Sequence, residues 1–230
     1  MPRRKKLILA CAALLCSACM ALGLSAEAGG AGVSEAIRVD FETTTVGELP
    51  AGFSTVVTGG GEPAEWRVVD DATAPSGGKV LAQTSTDKTS YRFPLCIFDR
   101  LAAKDVEVSV TFKPVSGMVD RAAGLVARYR DKDNYYVVRA NALEDNVRLY
   151  KVEHGKRQQF AGVNVKVPAN EWQTLTLEVK GRHFRVLLND TRLFEADDAT
   201  FNDAGKVGLW TKADSVTSFD DLMVKTGAAR

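Results

Sequence analysis

Short apolar runs alternate with turn residues through most of the chain. Runs rich in Val, Leu, Phe and Tyr are separated by Gly, Asn, Asp or Ser, at the spacing of about 8–12 residues that is typical of strands in a β-sandwich. No segment keeps a helical period, and Gly181-Arg182 and Asn189-Asp190 lie where tight hairpin turns belong. The predicted strands cover residues 37–42, 65–69, 79–83, 106–113, 122–130, 135–141, 146–153, 157–163, 173–180, 183–188, 191–196, 206–211 and 218–225.

So many strands cannot bury their apolar faces within one flat sheet, and two sheets packed face to face are the usual solution. We therefore predict an all-β, two-sheet β-sandwich. Its first strand (37–42) and its last strand (218–225) are both long enough to pair with each other, which would join the two ends of the domain.

The N-terminal segment has the pattern of a secretory signal peptide. A basic start at residues 3–6 is followed by an apolar run to about Leu24 and by Ala26-Glu27-Ala28, an A-x-A cleavage site. The apolar run is short and weakly apolar for a membrane span. A lipid anchor at Cys19, which follows Ser17-Ala18, is the minor alternative. The pattern predicts an exported protein, periplasmic or extracellular, with no membrane span.

The predicted organisation is a signal peptide (1–28), a flexible leader rich in Gly, Ala and Ser (29–36) and one sandwich domain (37–226). The whole chain has 30 Lys and Arg against 29 Asp and Glu, and removal of residues 1–28, with four basic residues and one acidic residue, leaves 26 against 28. This near-neutral balance, without a basic run, argues against a nucleic-acid partner. Cys96 is the only cysteine outside residues 1–28, so the domain cannot form an internal disulfide.

Two stretches carry a family resemblance. Residues 123–139 read AGLVARYRDKDNYYVVR, and residues 207–215 read VGLWTKADS and precede FDDLMV at 219–224. This order resembles the concanavalin A-like jelly rolls, and within them it is similar to secreted 3-keto-disaccharide hydrolase-like and glycoside hydrolase family 16-like proteins. The resemblance spans about residues 39–225. It implies a jelly roll that is a carbohydrate hydrolase, a lectin or an adhesion module, and the fold alone does not choose among them.

The catalytic motif of family 16, Glu-x-Asp-x-x-Glu on one strand, is absent from the chain. No catalytic residue is therefore transferred from that family. Glu144 and Asp214 lie at the ends of predicted strands and are the acids expected nearest to a ligand, as candidates for general acid or base.

Period-two counting places a dense set of aromatic, amide and cationic side chains on one sheet face, provided that the strands predicted over 122–153 and 206–211 are neighbours. The set comprises Arg128, Tyr135, Arg139, Asn141, Asn146, Arg148, Tyr150, Trp210 and Lys212. Aromatic rings stack on sugars, and amide and guanidinium groups bond their hydroxyls. Four cations without an evident acid favour an anionic sugar or another carboxylate. The alternative is a solvated sheet face, with Trp210 as a core residue.

Metal chemistry has little support in the sequence. His154 and His183 lie in different predicted hairpins, and residues 131–134 place acids at alternate positions but lack the glycine and the distal Glu of a calcium loop. We therefore expect no cofactor, and no motif supports a structural calcium ion.

The favoured hypothesis is an exported carbohydrate-binding jelly roll; a glycan or 3-keto-disaccharide hydrolase and a non-catalytic adhesion domain are the alternatives. The sequence leaves the oligomeric state open.

Overall fold

The structure is a computed structural model that describes residues 35–227. The predicted signal peptide and most of the predicted leader lie outside the described residues. Within them the chain forms fifteen strands and no helix, and there is no helix long and apolar enough to cross a lipid bilayer. The strands are β1 Glu35–Val39, β2 Phe53–Gly59, β3 Trp66–Asp70, β4 Lys79–Gln83, β5 Arg92–Ala103, β6 Val106–Ser116, β7 Ala122–Asp131, β8 Asn134–Asn141, β9 Asn146–Glu153, β10 Lys156–Asn164, β11 Gln173–Lys180, β12 His183–Leu188, β13 Thr191–Asp197, β14 Gly205–Trp210 and β15 Val216–Thr226.

The strands form two antiparallel sheets, which confirms the predicted sandwich. Sheet A has the order β13-β12-β11-β6-β15-β4-β3, and β1 pairs with β15 beside this path. Sheet B has the order β10-β9-β8-β7-β14-β5-β2. The pairing of β1 with β15, in which Glu35 lies opposite Thr226, confirms that the two ends of the domain are joined.

Both predicted hairpin turns are present. Asn189 and Asp190 connect β12 to β13 with φ angles of 49° and 60°, the left-handed pair that a type I′ turn requires. Gly181 follows β11 with a φ of 56°, and His183 then pairs with Lys180 to open the next strand.

Two strands, β2 and β5, are missing from the predicted set. The first seven residues of β5, Arg92 to Phe98, are all buried. A strand that is buried on both faces reads as a continuous apolar run without alternation, which explains why period-two counting overlooks it.

The central strands of sheet B, β7, β8 and β14, are buried on both faces. The inner face of sheet B packs against sheet A in the main core, which includes Phe112, Tyr136 and Phe219. Its outer face carries a second apolar cluster with Phe93 and Trp210 at its centre.

Contacts across sheet B cover part of this outer face. The Tyr91 hydroxyl donates to the carbonyl of Gly155 (2.8 Å) and accepts from the backbone N–H of Arg157 (3.0 Å). The Thr58 hydroxyl lies 2.9 Å from that of Tyr135 and donates to the carbonyl of Lys132. Because these bonds join the β2/β5 edge to the β7–β8 and β9–β10 hairpins, sheet B is curled over its outer face.

Candidate functional site

A β-bulge moves Arg128 away from the predicted face. Arg128 has a φ of 49°, and the pairing of β7 with β8 shifts register between Ala127 and Asp131. Its guanidinium donates to the carbonyls of Lys104 (3.0 Å), Phe201 (2.6 Å) and Gly181. The expectation that Arg128 shares a face with Arg139 is therefore wrong, because the bulge breaks the period-two alternation.

Most of the other predicted residues meet at one end of the outer face of sheet B. Here polar side chains from β8, β9 and the adjoining loops form a hydrogen-bonded group that we call the Arg139 cluster. The Arg139 cluster consists of Asp120, Arg139, Asn141, Glu144, Asn146 and Lys212.

Arg139 holds one side of the cluster together. Its Nη2 donates to Glu144 Oε2 and to Asn146 Oδ1, both at 2.7 Å, and Asn146 Nδ2 donates to Glu144 Oε2 at 3.0 Å. Arg139 and Asn146 are buried, whereas the Glu144 side chain is 49% exposed. Glu144 is therefore a carboxylate fixed from beneath by two buried donors and open to solvent on its other side.

The environment of Glu144 also fixes its charge. Desolvation alone would raise the pKa of Glu144, but the hydrogen bond from Asn146 and the charge of Arg139 outweigh it and lower that pKa below its usual value. Glu144 is thus an anion at neutral pH and a weak base.

Asp120 is a buried acid that sequence reasoning missed. It accepts hydrogen bonds from Lys212 Nζ (2.5 Å) and Asn141 Nδ2 (2.8 Å), and its Oδ2 lies 4.0 Å from Arg139 Nη1. Asp120 lies in the loop between β6 and β7, where strand counting gives no information. The expectation that the face lacks an acid is wrong, because Asp120 and Glu144 together balance the charges of Arg139 and Lys212.

Asp214 holds the loop that carries Asp120. Its carboxylate accepts three successive backbone N–H groups, from Met118 (2.8 Å), Val119 (3.0 Å) and Asp120 (3.0 Å). Desolvation raises the pKa of Asp214, but these N–H donors outweigh it and the net pKa is lowered. The buried, fully engaged Asp214 is placed to position a loop and not to exchange protons with a ligand.

Aromatic rings lie beside the Arg139 cluster. Phe93 and Trp210 stack with ring centres 5.3 Å apart, and both are completely buried. The guanidinium of Arg157 lies 4.7 Å from the ring centre of Phe93 and 4.5 Å from that of Tyr150. We call Phe93, Tyr150 and Trp210 the aromatic cluster. Arg139 also contacts it, 5.6 Å from the ring centre of Tyr150.

The remaining two predicted residues share the face but not the cluster. Tyr135 is buried in the second apolar group and bonds to Thr58. Arg148 lies directly opposite Arg139 on β9, but its Nη2 donates to Asn164 on β10 at 2.5 Å. Arg157, at the start of β10, is a further cation on this face that the sequence analysis does not include. Arg157 pairs with Val152, which lies in the second apolar cluster, and this pairing places it on the outer face.

No metal centre is present among residues 35–227, which contain no group of three His, Cys, Asp or Glu side chains able to hold an ion. In the turn of residues 131–134, Asp131 Oδ1 accepts the Asp133 N–H (2.8 Å) and Asn134 Nδ2 (2.9 Å).

Two antiparallel sheets, one of them curled around a second apolar face, define a concanavalin A-like jelly roll. Residues 47–225 match the model of the family described as 3-keto-alpha-glucoside-1,2-lyase-like domain. Since the match covers most of the chain, the protein belongs to this family.

One curated protein is similar to part of the chain in sequence, and solved structures are similar to most of it in fold. Levanase of Bacillus subtilis strain 168 is 30% identical over 105 residues, which are 45% of this chain and only 15% of the levanase. The carbohydrate-binding module CBM66 from Bacillus subtilis has a TM-score of 0.60 at 21% identity, over 76% of this chain and 96% of the module. Domain 4 of AbnA, an arabinanase from Geobacillus stearothermophilus in complex with arabinotriose, has a TM-score of 0.53 at 15% identity, over 83% and 91%. The two solved structures establish a shared fold.

Proposed function

We propose that this protein is an exported carbohydrate-binding domain that takes the terminal residue of a neutral saccharide at the Arg139 cluster. One observation carries the proposal: Glu144, with a side chain 49% exposed, and Lys212, 15% exposed, are the solvent-facing members of a buried network whose four charges balance.

The chemistry of the cluster matches that of sugar hydroxyls. A hydroxyl both donates and accepts hydrogen bonds, and the cluster offers it an acceptor, Glu144, and a donor, Lys212, at its surface. Hydrogen bonds to charged groups are worth roughly 1.5–3 kcal/mol each. Since the buried members already hold these groups in place, little side-chain freedom is lost on binding.

The charge balance favours a neutral ligand. Of the four cations predicted on this face, Arg128 lies elsewhere, and Asp120 and Glu144 offset Arg139 and Lys212 within the cluster. Arg148 and Arg157 lie on the face outside the cluster and are the cations that a carboxylated sugar would use. A carboxylated sugar would face Glu144 directly, and it remains the alternative that the binding experiment includes.

The curled shape of sheet B favours a chain end over an internal segment. The Tyr91–Gly155 and Thr58–Tyr135 contacts close the outer face on the side away from the Arg139 cluster. An extended chain that followed the strands would meet this closed end, so a saccharide that enters at the cluster along the strands would do so by its terminal residue.

Proteins of similar fold support the carbohydrate-binding part of the proposal. One similar fold is a carbohydrate-binding module, and another was solved with arabinotriose. The basic start, apolar run and A-x-A site of residues 1–28 support export to the periplasm or the cell exterior.

Catalysis is the second candidate, because two carboxylates, Asp120 and Glu144, flank the same guanidinium. A lyase acting next to a keto group needs a base to remove a proton. Asp120 is buried and paired with Lys212, and the pKa of Glu144 is lowered. Neither environment suits a general base, and the geometry therefore favours binding.

Titration calorimetry of the purified protein against methyl glycosides, neutral oligosaccharides and uronic acids tests the proposal. The Glu144→Gln variant should bind the best neutral ligand about tenfold more weakly, the loss expected for one charged hydrogen bond. Glu171→Gln, at an exposed glutamate elsewhere, should bind like the native protein. The proposal fails if no saccharide binds, or if Glu144→Gln keeps native affinity. If the native protein turns over a 3-keto-glucoside and Glu144→Gln abolishes that turnover, the catalytic function replaces the binding function as the better proposal.

A further inference from the structure

An exposed apolar surface borders the Arg139 cluster. Met118 is 81% exposed, Leu143 is 45% exposed and Val119 is 39% exposed. They are three of the five large apolar side chains that are exposed among residues 35–227. We call them the apolar rim.

The rim is continuous with the Arg139 cluster through the backbone. Val119 directly precedes Asp120, and Leu143 directly precedes Glu144. The two loops also touch each other, because the Ala142 N–H donates to the carbonyl of Arg121 at 2.9 Å. The rim residues therefore lie beside members of the cluster in the chain, on two loops that are hydrogen-bonded to each other.

The loop that displays Met118 is held firmly despite that exposure. Asp214 accepts three of its backbone N–H groups. Gly117 has a φ of 143°, and a Cβ at this position would lie 1.9 Å from the carbonyl oxygen of Asp120. The loop is thus folded tightly against itself.

The loop that carries Leu143 is fixed in a similar way. Asn141 Oδ1 accepts the N–H groups of Leu143 (2.8 Å) and Glu144 (3.1 Å). Exposed apolar side chains on fixed loops bind with a small entropic cost, and such surfaces commonly mark interaction sites.

We propose that the apolar rim contacts an apolar aglycone attached to the sugar bound at the Arg139 cluster, so that the ligand is a glycoside with an alkyl or aryl substituent. This inference rests on the proposed function. The side chains of the rim favour an apolar aglycone over a second sugar. Sugar rings usually pack against flat aromatic faces, whereas Met, Val and Leu offer only aliphatic contacts. Leu143 directly precedes Glu144 and is the rim residue expected nearest to a group joined to a sugar there.

Paired ligands separate the two parts of the site. Methyl and phenyl glycosides of glucose, galactose and fructose, together with one disaccharide of each sugar, are compared by titration calorimetry. The native protein should bind a phenyl glycoside about tenfold more tightly than its methyl counterpart, as expected for burying a small apolar group.

The double variant Met118→Ser/Leu143→Ser should lose this phenyl preference and keep native affinity for the methyl glycoside. Val46→Ser is the matched control, because Val46 is equally exposed at 45% but lies between β1 and β2; it should keep the preference. Melting temperatures of both variants should equal that of the native protein.

The outcomes distinguish the two proposals. Equal binding of methyl and phenyl glycosides overturns the rim assignment alone, as does a phenyl preference that survives in the double variant. A gain of affinity with the disaccharide but not with the phenyl glycoside also overturns it, since the occupant would then be a second sugar. If no glycoside binds, the proposed function fails and the rim assignment fails with it.

Discussion

Replacing Trp210 by alanine should destabilise the protein severely. The indole is completely buried, stacks on Phe93 and lies under the guanidinium of Arg157. Gly124, which pairs with Trp210 across β7 and β14, has no side chain that could fill the space. Removing such a ring costs about 3–5 kcal/mol of unfolding free energy, and the lost stacking is part of that figure.

This loss should be visible in a melting experiment. For a domain of this size 1 kcal/mol corresponds to a shift of about 2–4 °C, so Trp210→Ala should melt roughly 6–20 °C below the native protein. Urea unfolding gives the free energy directly and is the second measurement.

Trp172→Ala provides the matched control. Trp172 is only partly buried, and its Nε1 donates to Thr73 Oγ1 at 3.1 Å while Lys113 Nζ lies 4.8 Å from its ring centre. Losing these contacts should cost about 1–2 kcal/mol. If Trp210→Ala melts within 2–3 °C of the native protein, roughly a 1 kcal/mol change, the indole does not stabilise the core. That result would favour the role expected from the sequence, in which Trp210 faces solvent and stacks on a sugar.

Two further predictions concern pH and processing. Desolvation raises the pKa of Asp198, but hydrogen bonds from Tyr136, Thr200 and Lys151 outweigh it and lower the pKa to about 2. The stability that the ionised Asp198 adds to the fold is therefore complete above about pH 4, and it is lost as the pH falls through 2. In urea unfolding, the stability gap between native protein and Asp198→Asn should be about 1 kcal/mol smaller at pH 3 than at pH 7, and an unchanged gap would refute the assignment. N-terminal sequencing of the exported protein should begin at Gly29, whereas a lipid-modified Cys19 at the N-terminus would contradict a soluble product.

Strand counting predicts much of the fold and part of the site because both depend on regular pairing. Arg139, Asn146 and Tyr150 lie on β8 and β9, whose register is unbroken from Tyr135 to Asn146. In such a pair the side-chain period stays at two, so the sequence alone places these residues on one face.

The same counting fails where the backbone departs from regular pairing. Arg128 has a left-handed φ, which is uncommon for residues other than glycine. The neighbouring sequence therefore does not predict it. Asp120 reaches Lys212 from a loop 92 positions away in sequence, a contact that only the three-dimensional fold creates. The first seven residues of the missed strand β5 are buried on both faces, so they carry no alternation to detect.

Burial also changes which substitutions can test the site. Arg139 is 2% exposed and uses its guanidinium to hold Glu144 and Asn146. Removing one partner of a buried ion pair strands the other charge and commonly costs 3–5 kcal/mol, so Arg139→Ala would lower stability and affinity together. A loss of binding in that variant could not separate a ligand contact from a collapsed network.

The rim residue Met118 avoids this coupling because it is open to solvent and makes no ion pair, whereas Glu144, also open to solvent, still pairs with the buried Arg139. Asn141 fixes the backbone at Glu144, and Asp214 fixes the backbone at Met118. Changing either side chain therefore leaves the bonds that shape its loop in place. Affinity changes at Met118 report on the ligand, and those at Glu144 do so when the variant keeps the native melting temperature, whereas changes at Arg139 or Trp210 report first on the fold that presents the site.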